Sequence, residues 1–227
     1  MAVKVGMISL GCAKNQVDGE LLMAKLKAAG YELVDDVAMA DVAIVNTCGF
    51  IESAQKESID EILELGMLKK EGRIKKLVAT GCLVERFQGE MRKELPELDG
   101  VLGIGANEDP VKYLRDMLES GPIEAFPEKE KLPLSGDREL TTPSWSAYLK
   151  IAEGCDNRCS YCAIPYIRGG YRSRTMEDIE QEARALARNG ARELVLIAQD
   201  TTRYGIDLYG EYSLAKLLKR LSGIEGI

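Results

Sequence analysis

The chain has 227 residues, of which 45% are hydrophobic and 30% charged, with a formal net charge of −7. Such a length and composition are typical of a globular protein with one large domain or two small ones. The negative net charge argues against nucleic-acid binding by the electrostatic attraction of the whole protein surface. Histidine is absent from the sequence, which excludes Ser-His-Asp and Cys-His catalytic pairs and iron sites built on two histidines.

The N-terminal segment lacks the pattern of a signal peptide. Residues 1–8 have no basic region followed by a long apolar run, and no later stretch is long and apolar enough to span a bilayer. We therefore expect a cytoplasmic protein with no membrane association. Six cysteines in a reducing compartment favour metal binding over disulfides.

The first 120 residues alternate between strand and helix patterns. Buried strands are predicted at residues 3–10, 42–48, 77–82 and 101–105, with helices from about 18 to 30, from 52, from 82 to about 95, and over 110–118. This βαβαβαβα order predicts an α/β domain over residues 1–120, with an open, mostly parallel sheet and helices on both faces.

Three cysteines occupy the same place in three successive units of this domain. Cys12, Cys48 and Cys82 each stand just past the end of a predicted strand, about 35 residues apart. The carboxyl ends of parallel strands line the crevice in which open sheets bind ligands. Buried free cysteines acting as small hydrophobes are the alternative, but the shared position favours a metal centre.

Residues 121–147 differ in composition from the flanking segments. They contain four of the seven prolines among Glu, Lys, Ser and Gly. We predict an extended linker here, which would separate the first domain from a second that spans residues 148–227. The second segment begins with a strand at 148–152 and continues with a helix from about Thr175, a strand at 194–198 and a helix over 213–221.

The three remaining cysteines, Cys155, Cys159 and Cys162, form a C-x3-C-x2-C loop directly after the strand at 148–152. Structural zinc sites use four ligands, so zinc would require Asp156 or a distant cysteine to complete the shell. Three thiolates can instead hold a [4Fe-4S] cluster and leave one iron open to a substrate. Iron–sulfur is favoured because no histidine is present to serve as a fourth zinc ligand. The alternative to an enzyme is a zinc-binding interaction module.

This loop resembles that of the radical S-adenosylmethionine (SAM) enzymes, with Tyr161 in the aromatic slot before the third cysteine. Taken with the first cysteine trio, the whole chain resembles the radical SAM methylthiotransferase family. Three stretches are similar to the RimO branch, which modifies an aspartate of ribosomal protein S-twelve: LGCAKNQVD at 10–18, YLKIAEGCDN at 148–157 and IAQDTTRYG at 197–205. The other branch modifies a tRNA adenosine and is the alternative.

The resemblance implies an N-terminal open-sheet domain followed by the start of a radical SAM (β/α) barrel. It implies SAM and two [4Fe-4S] clusters as cofactors, one held by Cys155, Cys159 and Cys162 and an auxiliary one by the N-terminal cysteine trio. Gln199 and Asp200 follow the second barrel strand, where such folds line the cofactor site, so both are candidate SAM contacts together with Tyr161. The implied partners are the ribosomal protein and an electron donor such as flavodoxin or ferredoxin, and we expect a monomer.

The second segment is short for a barrel. Residues 148–227 suffice for about two βα units, whereas a full (β/α)8 barrel takes roughly 250 residues. We therefore expect an N-terminal fragment of a longer enzyme, with little or no turnover by itself.

Overall fold

The chain forms two compact units in a computed structural model that describes residues 2–227. The first unit runs to Pro133 and includes Asp137–Glu139, and the second comprises Leu134–Gly136 and Leu140–Ile227. Within residues 2–227, no helix is both long enough and apolar enough to cross a bilayer.

The first unit is built on a six-stranded sheet in which every pairing is parallel. The strand order is β2-β1-β3-β4-β5-β6. The strands are β1 (Lys4–Ser9), β2 (Glu32–Leu33), β3 (Val42–Thr47), β4 (Lys76–Gly81), β5 (Gly100–Leu102) and β6 (Ile123–Ala125). The predicted α/β class with an open parallel sheet is confirmed.

Helices cover both faces of this sheet. They are α1 (Ala13–Ala28), α2 (Glu52–Lys70), α3 (Cys82–Arg86), α4 (Met91–Glu94) and α5 (Pro110–Ser120). Alternate residues of β3 point to opposite faces, so Ala43 and Val45 pack in a core with α2, α3 and α4, whereas Val42 and Ile44 pack in a core with α1 and α5. All six residues of β3 are buried, and burying each large apolar side chain stabilises the fold by about 1.5–3 kcal/mol.

The first unit differs from the sequence-based expectations in its third helix and in the predicted linker, among other boundaries. The single helix expected from residue 82 to about 95 is divided into α3 and α4, because Gly89 between them adopts a φ of +75° that a helix cannot accommodate. The predicted linker over 121–147 contains β6, which pairs with β5 through Gly100 and Ile123. Strands of two or three residues such as β2 and β6 are too short to show an apolar period.

The second unit contains two short sheets. Its strands are β7 (Ser146–Lys150), β8 (Ala152–Glu153), β9 (Arg172–Ser173) and β10 (Glu193–Ile197), and its helices are α6 (Ile164–Arg168), α7 (Met176–Arg188), α8 (Ile206–Tyr209) and α9 (Leu214–Leu221). Strand β7 pairs in parallel with β10, and β8 pairs antiparallel with β9. The Thr175 hydroxyl caps α7 by accepting from the Asp178 amide at 3.3 Å. The parallel strands with their following helices agree with a (β/α) pattern.

Asp99 supports the first unit at the start of β5. Its carboxylate, 7% exposed, accepts from the ammonium groups of Lys69 and Lys76 and from the Leu77 amide. Burial alone would raise the pKa of Asp99, but these three donors together hold the pKa below its usual value. The stabilisation is therefore present above pH 4 and is lost as the pH falls through the lowered pKa.

We expect Asp99→Asn to reduce the free energy of unfolding at pH 7 by about 2 kcal/mol. The lowered pKa of Asp99 makes the folded state less stable in acid. Below pH 4 the stability of the variant should therefore fall less steeply than that of the wild type. Urea unfolding at a series of pH values measures both effects. Asp116→Asn, on the exposed face of α5, is the matched control, and equal unfolding midpoints for the two variants would contradict the role given to Asp99.

Candidate metal centres and cofactor site

The N-terminal cysteines lie at the carboxyl ends of three adjacent strands. Cys12 follows β1, Cys48 follows β3 and Cys82 follows β4. These strands are neighbours in the sheet and parallel, so their carboxyl ends share one edge. In the sheet, β2 lies on one side of β1 and β3 lies on the other, so the strand order reverses direction at β1. Open α/β sheets bind ligands at such a topological switch point.

Glycines allow the three cysteine turns to touch one another. Gly11 has a φ of +88°, and a Cβ there would stand 2.7 Å from the Cys48 Sγ. A Cβ on Gly49 would stand 2.7 Å from the carbonyl carbon of Cys82. Each distance is too short for a real side chain, so the glycines are required for the approach of these turns.

Asn15 ties two of the strand ends together from the first turn of α1. Its Nδ2 donates to three backbone carbonyls, those of Leu10 at 2.8 Å, Thr47 at 3.1 Å and Asn46 at 3.2 Å. The Asn46 side chain returns a bond of 2.7 Å from its Nδ2 to the Asn15 carbonyl. Both side chains are buried, so these bonds fix the turns that precede the cysteines.

A second group of side chains holds the turn of Cys48 and Gly49. The Ser58 hydroxyl accepts from the Cys48 amide at 3.0 Å. The Gly49 carbonyl accepts from Arg86 at 2.8 Å and from Gln55 at 3.2 Å. The signal in the sequence for this group is Ser58, a polar residue on the buried face of a helix.

The C-x3-C-x2-C loop, which carries Cys155, Cys159 and Cys162, connects the end of β8 to the start of α6. The Cys155 amide donates to the Gly169 carbonyl at 3.1 Å, and the Cys162 amide donates to the Cys159 carbonyl at 3.0 Å. Gly154, with a φ of +73°, lies so close to the chain that a Cβ would stand 2.0 Å from the Gly170 carbonyl oxygen. The two ends of the loop are therefore pinned against each other.

The loop encloses a concavity of about 360 Å³. Its lining residues are Arg158, Cys159, Ser160, Cys162, Pro165 and Tyr166. Tyr161, the residue in the aromatic slot, is 87% exposed and does not line this concavity. A contact between Tyr161 and a cofactor remains a prediction.

None of the six cysteines forms a disulfide bond. Cys48 and Cys82 are buried, Cys12 and Cys159 are exposed, and Cys155 and Cys162 are half-buried. Across residues 2–227, no three Cys, Asp or Glu side chains are arranged so as to share one metal ion. The turns bring the cysteine backbones together, and thiolate–metal bonds would have to draw the side chains inward.

A buried carboxylate lies directly before the C-x3-C-x2-C loop. Glu153 is fully buried and accepts from Gln199 Nε2 at 2.6 Å, the Gly154 amide at 3.0 Å, Arg168 at 3.1 Å and Lys150 at 3.3 Å. Burial alone would raise the pKa of Glu153, but the Arg168 and Lys150 charges and the two uncharged donors lower it to about 2. Glu153 is therefore ionised at neutral pH.

Gln199 and Asp200, the predicted SAM contacts, differ in their surroundings. Gln199 Oε1 is buried, and no donor in the described part of the chain reaches it. Both Asp200 oxygens have partners: Oδ1 accepts from the Thr202 amide and hydroxyl, and Oδ2 accepts from Asn157 at 3.1 Å. The Thr202 hydroxyl, foremost among these contacts, lowers the pKa of Asp200. The Gln199 oxygen thus lacks a donor among the described residues, whereas Asp200 is bonded to the cysteine loop through Asn157.

Two family models match the sequence. Residues 4–103 match the family described as Uncharacterized protein family UPF0004, and residues 149–227 match the Radical SAM superfamily. The boundaries enclose the first five strands with Cys12, Cys48 and Cys82 in one match, and the C-x3-C-x2-C loop in the other.

Curated relatives are similar over almost the whole chain. The ribosomal protein uS12 methylthiotransferase RimO of Clostridioides difficile (strain 630) is 50% identical over 229 residues, which cover 99% of this chain and 51% of that protein. The protein of the same name from Thermoanaerobacter sp. (strain X514) is 51% identical over 224 residues, covering 98% and 51%. The chain spans about half the length of the curated relatives it matches.

A solved structure shares the fold. The radical SAM methyltransferase TsrM from Kitasatospora setae, with cobalamin and a [4Fe-4S] cluster bound, matches with a TM-score of 0.64 at 14% identity. The match covers 96% of this chain and 52% of that chain. At this identity the likeness supports the fold alone.

Proposed function

Because the chain belongs to the radical SAM methylthiotransferase family, we propose that the protein containing it adds a methylthio group to the β-carbon of an aspartate of ribosomal protein uS12. The observation that carries this proposal is the identity of 50–51% to proteins named RimO over 98–99% of the chain. The position of the two cysteine trios, each at a backbone turn closed by glycine, supports it.

Cys155, Cys159 and Cys162 would hold the cluster that binds SAM. The donor set fits a [4Fe-4S] cluster with one open iron, since three thiols stand on one loop that glycine contacts pin at both ends. When bound, the cluster and SAM supply a radical that removes hydrogen from an unactivated carbon. The residues of the protein would bind and orient these cofactors. Asp200 holds the cysteine loop through its hydrogen bond with Asn157. The buried Gln199 oxygen offers an acceptor for the SAM ammonium group.

Cys12, Cys48 and Cys82 would hold an auxiliary [4Fe-4S] cluster that would take part in the sulfur transfer. Support comes from their shared edge at the switch point of the sheet and from Gly11, whose lack of a side chain leaves room beside the Cys48 sulfur. We propose that the electron donor is a flavodoxin or ferredoxin, and that the enzyme acts as a monomer in the cytoplasm.

The two-cluster assignment predicts the metal content. Anaerobic reconstitution of the chain should give about eight irons and eight sulfides, since each [4Fe-4S] cluster contributes four of each. Cys155→Ala and Cys12→Ala should each retain about four irons, whereas Cys155→Ala combined with Cys12→Ala should retain none. Iron and acid-labile sulfide assays measure this. Stoichiometric zinc with negligible sulfide would instead support a zinc-binding interaction module.

Mass spectrometry of ribosomal proteins tests the substrate. In cells that lack the gene for this protein, uS12 should lose an increment of about 46 Da, the mass of an added CH2S in a cofactor-driven transfer. Restoring the gene should restore the increment. Loss of a methylthio-adenosine from digested tRNA, with uS12 unchanged, would assign the protein to the tRNA branch.

A further inference from the structure

Glu153 joins the segments that frame the C-x3-C-x2-C loop. It lies on β8, two residues before Cys155, and binds Lys150 at the end of β7, Arg168 at the end of α6 and Gln199 just after β10. The side chains of Lys150, Glu153 and Arg168 are at most 1% exposed. One carboxylate thus connects the strand before the loop, the helix after it and the end of the neighbouring strand.

The contacts of Glu153 indicate which way the Gln199 amide faces. Both carboxylate oxygens of Glu153 accept from nitrogen donors: Oε2 from Lys150 and Arg168, and Oε1 from the Gly154 amide. The Gln199 amide likewise meets Oε1 with its nitrogen, at 2.6 Å. The Gln199 oxygen is thereby turned away from Glu153. It is buried, and the described residues offer it no donor. A buried acceptor without a partner is unfavourable and is stabilised by a ligand that brings a donor.

The end of β10 that carries Gln199 is attached to the cysteine loop. Asp200 accepts from Asn157 in the loop at 3.1 Å, and its carbonyl accepts from the Tyr171 hydroxyl at 2.9 Å. The Tyr171 amide donates to Asp156 of the same loop at 3.1 Å. The unpartnered Gln199 oxygen therefore stands at a strand end that is bonded to the candidate cluster loop.

We propose that Glu153 is a positioning residue for SAM, which acts by holding the Gln199 amide with its oxygen presented to the ligand's ammonium group. The inference rests on the proposed function, because it takes SAM as the ligand. Lys150 and Arg168 bind Oε2 of Glu153 and hold the carboxylate in place, while Oε1 accepts from the Gln199 nitrogen.

A double-mutant cycle on SAM affinity tests this coupling. The anaerobically reconstituted chain would carry Glu153→Gln, Gln199→Ala or both, with SAM binding measured by equilibrium dialysis and by the change that SAM causes in the electron paramagnetic resonance spectrum of the reduced cluster. An amide at 153 can face Gln199 with either its oxygen or its nitrogen, so it no longer fixes the orientation. Each single variant should bind SAM about 10-fold more weakly, and the double variant should be no weaker than Gln199→Ala.

Controls separate positioning from folding. Glu180→Gln weakens the ion pairs of Glu180 with Arg184 and Arg220 and should leave SAM affinity unchanged. If Glu153→Gln fails to retain iron, Lys150→Met with Glu153→Gln removes one of the two buried cations that Glu153 binds, and the cycle is measured in that background. Fold-changes that multiply in the double variant would overturn the inference, because a general structural role of Glu153 would not depend on Gln199.

The outcomes also separate this inference from the proposed function. A wild-type chain that assembles no cluster contradicts the proposed function. A wild-type chain with a full cluster whose spectrum does not respond to SAM overturns the roles of Glu153 and Gln199 and leaves the cluster assignment standing.

Discussion

Replacing Gly154 with alanine should eliminate the cluster of the C-x3-C-x2-C loop and leave the N-terminal cluster in place. Gly154 has a φ of +73°, and a Cβ would stand 2.0 Å from the Gly170 oxygen and 2.7 Å from the Gly169 oxygen. Both obstacles are backbone atoms, so rotation of a side chain cannot relieve them. The chain must separate, which breaks the bond from the Cys155 amide to Gly169. Iron should fall from about eight to about four per chain.

Gly210→Ala is the matched control for Gly154→Ala. Gly210 has a similar φ of +70° in the same unit, and within the described residues no heavy atom lies within 4 Å of the position of its Cβ. That variant has only the backbone strain, about 1–2 kcal/mol, and should retain both clusters. Equal iron content in the two variants would show that the contact of Gly154 with Gly170 does not shape the cysteine loop.

Replacing Gly11 with alanine should remove the N-terminal cluster. A Cβ at Gly11 would stand 2.7 Å from the Cys48 Sγ and 2.6 Å from its Cβ. The Cys48 side chain is buried, so it cannot turn away into solvent. The turns of Cys12 and Cys48 would separate, and iron should fall to about four per chain with the C-x3-C-x2-C cluster retained.

Gly30→Ala is the control in the same unit. Gly30 has a φ of +91°, close to that of Gly11, and open space around it among the described residues. The Gly30→Ala variant should have only the backbone strain of its positive φ, which should leave the iron content unchanged. Spectra of the reduced variants, with and without SAM, identify which cluster remains, and a SAM response lost in Gly11→Ala would contradict the assignment of this trio to the auxiliary cluster.

The sequence by itself determined the class of the fold and the place of the cysteines within it. The apolar runs at 42–48 and 77–82 predict strands because both lie buried between two helical layers, and the structure has β3 and β4 there. Local signals were also sufficient for α7, whose predicted start at about Thr175 agrees with the capping residue in the structure. The order of strands and helices then placed Cys12, Cys48 and Cys82 at one sheet edge. Their role as ligands and the domain limit at residue 120 stay predictions.

The tertiary structure decided features that depend on contacts between distant residues. β2 and β6 are strands because β1 and β5 offer them free edges, not because two or three residues have a pattern of their own. The bond between Glu153 and Gln199 joins residues 46 positions apart, and the approach of Gly11 to Cys48 depends on the pairing of β1 with β3. A local sequence pattern reports propensity and burial, whereas the orientation of a buried amide or the room for a Cβ is set by neighbours that only the folded chain brings together.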